Sequence, residues 1–215
     1  MNIVFLGSPG SGKGTQAKLV VKKFDFQYFE SGDILREKAR ERDALGQKID
    51  RVIHQEGKYV PDEMMVEIVT NWITKAKLEQ GIVFDGFPRT LDQYQGLQKV
   101  LAEKGSVIDQ VIYLKISEEE SVRRLTARRI CPRCDFEFNL VTKPPKKDEF
   151  CDQCQEKLIQ RQDDAPEIIK KRLETYYQLT KPLVEFVRQQ GILVEVDGER
   201  SIEEIHQDIL ERIKK

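Results

Sequence analysis

The sequence has no excess of charge of either sign: 36 basic residues stand against 37 acidic ones. That balance removes the electrostatic footprint of a general nucleic-acid or membrane-surface binder, so any recognition of polyphosphate must be local, through a few focused cations. It also lacks any apolar run near the roughly 18–20 residues needed to cross a bilayer. The opening "MNIVFLG" has no basic leader and no small-residue cleavage site, and its apolar run ends at once in a Gly-rich turn. It reads as a first strand, so a cytoplasmic protein is expected. Internal repeats and low-complexity tracts are missing too. Cysteine is scarce, with four in 215 residues, all between 131 and 154; in a reducing compartment such clustering points to metal before disulfides.

What is present is an alternation. "NIVFLG", "QYF", "GIVFDG", "DQVIYLKI" and "ILVEVDG" read as short buried strands, with charged-faced helical patterns between most of them. This predicts an α/β fold with a five-stranded parallel sheet flanked by helices on both sides. Capping boxes are expected at Ser117 with Glu120 and at Ser201 with Glu204. Ile202, Ile205, Ile209 and Ile213 form an apolar stripe that should face the core. Trp72, the three Met, and the run Ile169, Leu173, Tyr176, Leu183 and Val187 fall at core-like spacings and read as packing.

Two segments break the alternation: residues 31–60 read as a helical pair without a strand, and residues 129–163 are rich in proline, charge and cysteine. Both look like insertions into one core made of residues 1–30, 61–128 and 164–215.

Gly7 to Thr15, "GSPGSGKGT", follows a strand and precedes a helical run, which is the context a phosphate loop requires. Backbone N–H groups of Gly10, Ser11, Gly12, Lys13, Gly14 and Thr15 would face an anion, the helix dipole adds positive potential, and Lys13 reaches the outer phosphates. A Gly-rich turn that merely packs tightly is the competing reading. The residue after Lys13 is Gly14 rather than the Ser or Thr that usually holds Mg²⁺. Mg²⁺ would then sit on nucleotide oxygens and water, with Asp33 and Asp85 as candidates to orient the waters. A structural Asp capping its turn is the alternative for Asp85.

Cys131-x-x-Cys134, sixteen residues, then Cys151-x-x-Cys154 is zinc-ribbon spacing. Four thiolates close the tetrahedron with no open position, which predicts a structural Zn²⁺; a disulfide pair or redox dithiol is the alternative. Neither His54 nor His206 lies in this segment, and both read as surface or boundary residues. Zinc ribbons often contact nucleic acid, but residues 131–160 carry five Lys/Arg against six Asp/Glu, poorly suited to a phosphate backbone. A small flap with little core of its own would instead take its fold from the metal.

"GSPGSGKGTQA", "SGDILR" (31–36), "GKYVPDE" (57–63), "FDGFPRT" (84–90) and "QRQDDAPE" (160–167) occur in that order. Together they resemble adenylate kinase in its long form with a metal-binding lid, over essentially the whole chain. The resemblance implies a P-loop NTPase core, residues 31–60 as the insertion that binds the nucleoside monophosphate, and residues 129–163 as a zinc-ribbon-like lid. It implies reversible transfer of the terminal phosphoryl of MgATP to AMP, giving two ADP, in a monomer. Ser31 and Arg36 would hold AMP, the backbone at Lys58, Tyr59 and Val60 would line its base pocket, and Gly86, Phe87, Pro88 and Arg89 would wall it, with Arg89 on its phosphate. Gln93 would read the adenine edge. Arg124, Arg128, Glu137, Phe138 and Arg200 fall on the ATP side, and Arg161 and Arg172 would close on the transferring phosphates.

Such a set suits the chemistry. Phosphoryl transfer needs alignment and charge neutralisation more than acid–base work, and a guanidinium fork matches phosphate geometry. Kinases of UMP, CMP or GMP, a P-loop kinase of a small metabolite, and a zinc-ribbon nucleotide switch that binds nucleic acid remain rivals on sequence.

Overall fold

The computed structural model describes residues 1–41, 43–56 and 58–213, with the side chains of residues 45 and 53–55 left aside. Gly57 of the third motif and the side chain of His54 therefore lie outside the described residues.

Five strands form one parallel sheet: β1 (Asn2–Gly7), β2 (Gln27–Glu30), β3 (Ile82–Asp85), β4 (Gln110–Lys115) and a final strand, β7 (Leu193–Asp197). Their order is β2-β3-β1-β4-β7. β1 is buried along its whole length, as an apolar run covered on both faces requires. The strands coincide with the five expected from sequence.

Helices cover both faces. On one, Ala17 and Val20 of α1 (Lys13–Phe24) and Ile205 and Ile209 of α9 (Ile202–Arg212) pack on Ile3, Phe5 and Ile112. On the other, α4 (Asp62–Ile73), α5 (Leu91–Ala102) and α8 (Lys181–Gln189) bury Val69, Leu97 and Leu183 against Val4, Phe84 and Val111. The isoleucine stripe lies inward, with Ile205, Ile209 and Ile213 buried. Trp72 stacks edge-on against Phe29 at 5.4 Å.

β1 is central, and the chain lays β3 on one side of it before placing β4 on the other. The crevice at the carboxyl ends of these strands is where open α/β sheets bind ligands. Residues 31–56 contribute α2 (Ser31–Arg40), α3 (Ala44–Asp50) and a π-helical turn, Arg51–Glu56, with no strand among the described residues, as the sequence predicts. After α6 (Glu118–Thr126), β5 (Arg128–Ile130) pairs antiparallel with β6 (Glu137–Asn139), and an isolated bridge joins Ile130 to Ile159. α7 (Pro166–Thr175) returns to the core and runs through a π turn, Tyr176–Thr180, into α8.

The two expected capping boxes differ. Ser201 accepts from the Glu204 N–H while the Glu204 carboxylate accepts from the Ser201 N–H, a complete box. Ser117 accepts from the Glu120 N–H, but the Glu120 carboxylate is taken by Arg123 and Arg124, and the Ser117 N–H donates to Glu199 Oε1 at 2.7 Å. Two arginines within reach outbid one backbone amide, because charge-assisted bonds are the stronger kind. Ser201→Ala should lower stability by about 1 kcal/mol, read as a lower urea midpoint at unchanged m.

Candidate active site

A single cleft of about 510 Å³ opens at the carboxyl ends of the strands. It gathers the phosphate loop, Ser31 and Arg36, Lys58 to Val60, Asp85, Gly86, Pro88, Arg89, Gln93, Arg124, Arg128, Glu137, Phe138, Arg161, Arg172 and Arg200. Two expected residues do not line it. Phe87 is fully buried and packs edge-on against Phe29, so it supports the wall from behind. Asp33 lies on the exposed side of α2, paired with Arg36.

The loop between β1 and α1 is built on left-handed glycines, and Gly12, at φ 85°, caps α1. Lys13 leans over it, Nζ donating to the Ser8 carbonyl at 3.3 Å. Burial lowers the Lys13 pKa to about 8; Asp85 acts against this, while Arg89, Arg172 and Arg128 lower it further. The lysine is thus short of negative charge. Gly14 has a steric reason. A Cβ there would stand 3.0 Å from Asp85 Oδ2, so the position that commonly carries a hydroxyl is crowded by the aspartate across from it.

Asp85 ends β3, buried, directly opposite Glu30 of β2 in the parallel register. The Tyr28 hydroxyl lies 3.0 Å from Asp85 Oδ2 and 3.2 Å from Glu30 Oε2. Burial, then hydrogen bonding to Asp33 and the nearby Asp85 charge, push Glu30 up to about 7. Glu30 also holds Arg36 at 3.2 Å and Lys18 at 3.5 Å. Sequence reading passed over Glu30, because only the register brings it beside Asp85.

Ser31 Oγ donates to the Gly86 carbonyl at 2.7 Å. Gly86 has φ 72°, and a Cβ would come within 2.6 Å of Ser31 Oγ, so glycine is required on both counts. Arg89 Nε donates to that same carbonyl at 2.6 Å. Gln93 is buried and engaged at both ends: Oε1 accepts from the Arg89 N–H at 2.7 Å, and Nε2 donates to Asp62 Oδ1 at 2.8 Å.

The far wall is organised by Asp163 and Asp164, both buried, which the sequence motif contains but whose roles were not foreseen. Arg128 makes a bidentate pair with Asp164 at 2.7 and 2.6 Å. Arg161 makes one with Asp163 at 2.9 Å on each arm and reaches Glu137 at 3.0 Å. Arg172 spans both, at 3.1 Å from Asp163 and 3.0 Å from Asp164. Arg124 is buried against Glu120. Arg200, exposed, pairs with Asp208 of α9. Among the described residues, Lys13 and Arg89 are the two of these cations that form no ion pair with a carboxylate.

The four cysteines converge, every Sγ within 4.8 Å of the others. Pair distances of 3.3, 3.6 and 3.7 Å compare with about 3.8 Å for four sulfurs around a tetrahedral zinc. The two Cys-x-x-Cys turns repeat one geometry. Asp135 and Gln155, each following its second cysteine, are left-handed at φ 54° and 58°, and donate to the carbonyls of Cys131 and Cys151 at 3.0 and 2.9 Å. All four thiols are free. The buried core around them is only Cys131, Phe138, Cys151 and Leu158. This cluster can hold a metal ion.

Burial alone would raise the Asp163 carboxyl, but Arg172, Arg161 and Arg128 hold it well below the usual range. A folded-state pKa below the unfolded value stabilises above about pH 4 and is lost as pH falls through the folded pKa. Asp163→Asn should therefore lower stability at neutral pH and flatten the decline in stability below about pH 4, measured by urea denaturation across that range.

A sequence model described as adenylate kinase matches residues 5–192. Proteins named adenylate kinase from Finegoldia magna (40% identical over 215 residues, 100% of each chain) and Archaeoglobus fulgidus (42% over 217 residues, 100% of each) align end to end. One from Caldanaerobacter subterraneus subsp. tengcongensis is 42% identical over 209 residues, 97% of this chain and 94% of its own. With the phosphate loop, the arginine wall and the four-cysteine turn in one frame, the chain belongs to the adenylate kinase family of phosphoryl-transferring enzymes.

Proposed function

We propose that the enzyme transfers the terminal phosphoryl group of MgATP to AMP, reversibly, giving two ADP. The observation that carries this is the pair Lys13 and Arg89, neither in an ion pair with a carboxylate among the described residues, one on the phosphate loop and one beyond β3 in the same cleft. Two fixed cations outside any ion pair suit two polyanions brought end to end. In-line transfer asks for little else than this positioning and charge.

In this reading the loop from Gly10 to Thr15 and Lys13 hold the ATP phosphates, with Arg124, Arg128, Glu137, Phe138 and Arg200 on the donor side. Arg36 and Arg89 hold the AMP phosphate, and Ser31, the Lys58–Val60 backbone, Gly86, Pro88 and Gln93 frame its base. Arg128, Arg161 and Arg172 exchange carboxylate for phosphate as the site closes; their stored position on Asp163 and Asp164 supports this, since a guanidinium loses little by trading one bidentate oxyanion for another. Asp85 faces the loop and would orient the water shell of Mg²⁺, which supplies charge neutralisation on the nucleotide when bound, whereas Asp33, outside the cleft, is not placed to do so. Held by the Arg89 N–H and Asp62, the Gln93 amide keeps a second N–H and a second Oε1 lone pair for the adenine edge.

Residues 31–60 and 129–163 act as the monophosphate-binding and lid units on the remaining core. Zn²⁺ on Cys131, Cys134, Cys151 and Cys154 braces the lid, and closure keeps water from accepting the phosphoryl group. The enzyme is taken as a cytoplasmic monomer without nucleic-acid or membrane partners. No helix among the described residues is long and apolar enough to cross a membrane.

ADP formation from ATP with AMP, UMP, CMP and GMP tests the assignment: AMP should be turned over well ahead of the others, and equal turnover of UMP or GMP would refute it. Lys13→Ala should cut kcat by at least about 10²-fold with the far-UV spectrum unchanged. Chelation should release one zinc per chain and lower Tm, with proteolysis appearing first within residues 129–163.

A further inference from the structure

Arg89 is held in a closed circuit that the phosphate loop and the arginine wall do not explain. Thr180 is buried, and its Oγ1 donates to the Arg89 carbonyl at 2.8 Å. The Tyr59 hydroxyl is 2.9 Å from that same Oγ1. Because the threonine proton is spent on the carbonyl, the tyrosine must donate. The Tyr59 ring meanwhile faces the Arg89 guanidinium, 5.0 Å from ring centre to Cζ. One tyrosine thus reaches Arg89 twice: by its ring at the side chain, and through Thr180 at the main chain.

The placement of Thr180 has a cause in sequence. Pro182 has no N–H to give the carbonyl four residues back, and its ring crowds that carbonyl, so an α-helix cannot pass through unaltered. The helix widens instead into the π turn Tyr176–Thr180, where the Lys181 N–H reaches back five residues to the Tyr176 carbonyl. Thr180 ends that turn. π turns of this kind recur at functional sites. Tyr59 belongs to the segment that leads from residues 31–56 into α4, so the circuit ties that segment to the α7–α8 run across Arg89.

We propose that Thr180 and Tyr59 are positioning residues for the acceptor phosphate, fixing Arg89 so that its guanidinium meets the monophosphate ready-oriented. The inference rests on the reading that Arg89 takes the AMP phosphate. The chain Tyr59 O–H to Thr180 Oγ1 to Arg89 carbonyl is a unit, so breaking either link loses the same orientation.

The test is steady-state kinetics of the full-length, metal-loaded enzyme with Thr180→Val, Thr180→Ser, Tyr59→Phe and the Thr180→Val/Tyr59→Phe double variant, with Tm recorded for each. Losing one neutral hydrogen bond corresponds to roughly fivefold in binding. Thr180→Val and Tyr59→Phe should each raise KM for AMP about fivefold, with KM for ATP within about twofold. Thr180→Ser should restore the wild-type value, and the double variant should cost no more than the worse single one. A merely structural role would lower Tm while leaving the KM for AMP untouched. Parallel shifts for ATP and AMP, additive single effects, or an unmoved KM for AMP would each overturn the proposal while wild-type AMP kinetics stand. Wild-type enzyme that fails to use AMP would overturn the proposed function, and this inference with it.

Discussion

The architecture of the cleft depends on how Asp163 and Asp164 hold Arg128, Arg161 and Arg172. Three guanidinium groups converging without counter-charge would repel one another and carry a large desolvation cost. The two buried carboxylates, arriving in a short 3₁₀ turn (Gln162–Asp164) just before α7, offset that repulsion and part of the desolvation cost. They hold the three guanidinium groups side by side along one wall of the cleft. Lys13 and Arg89 make no ion pair with a carboxylate among the described residues, and both line the same cleft.

The four-cysteine turn solves a different problem. Residues 129–163 bury too little apolar surface to order themselves, with two of the four buried residues in their small cluster being cysteines. Metal ligation substitutes for a core where one cannot form. Within this segment, β5 pairs with β6 and a bridge joins Ile130 to Ile159, while to the rest of the chain the Leu140 N–H donates to the Ala127 carbonyl, Asn139 Nδ2 to the Arg124 carbonyl at 2.8 Å, and Arg172 to Asp163.

Much of this was legible in the sequence because it is local. The five strands, the phosphate loop and the paired Cys-x-x-Cys turns each need only a contiguous stretch and a known spacing. What was missed depends on register or on competition. Glu30 meets Asp85 only because β2 and β3 pair as they do. Glu120 leaves its expected backbone partner because two arginines on its own helix offer more. Phe87 falls in an expected motif and Gln93 three residues past it, yet Gln93 is engaged on both sides by protein and Phe87 faces the core. Motif spacing reports which residues share a segment; it does not report which way each side chain turns once its neighbours compete for it.

The glycine after Lys13 carries a wider meaning. A serine at position 14 would crowd the Asp85 carboxylate, which the Tyr28 hydroxyl bonds and which would have to give way by a few tenths of an ångström. A side chain at position 14 is therefore accommodated only as far as the Asp85 carboxylate can shift against its bond to Tyr28, so the freedom of that one carboxylate decides what the turn can carry.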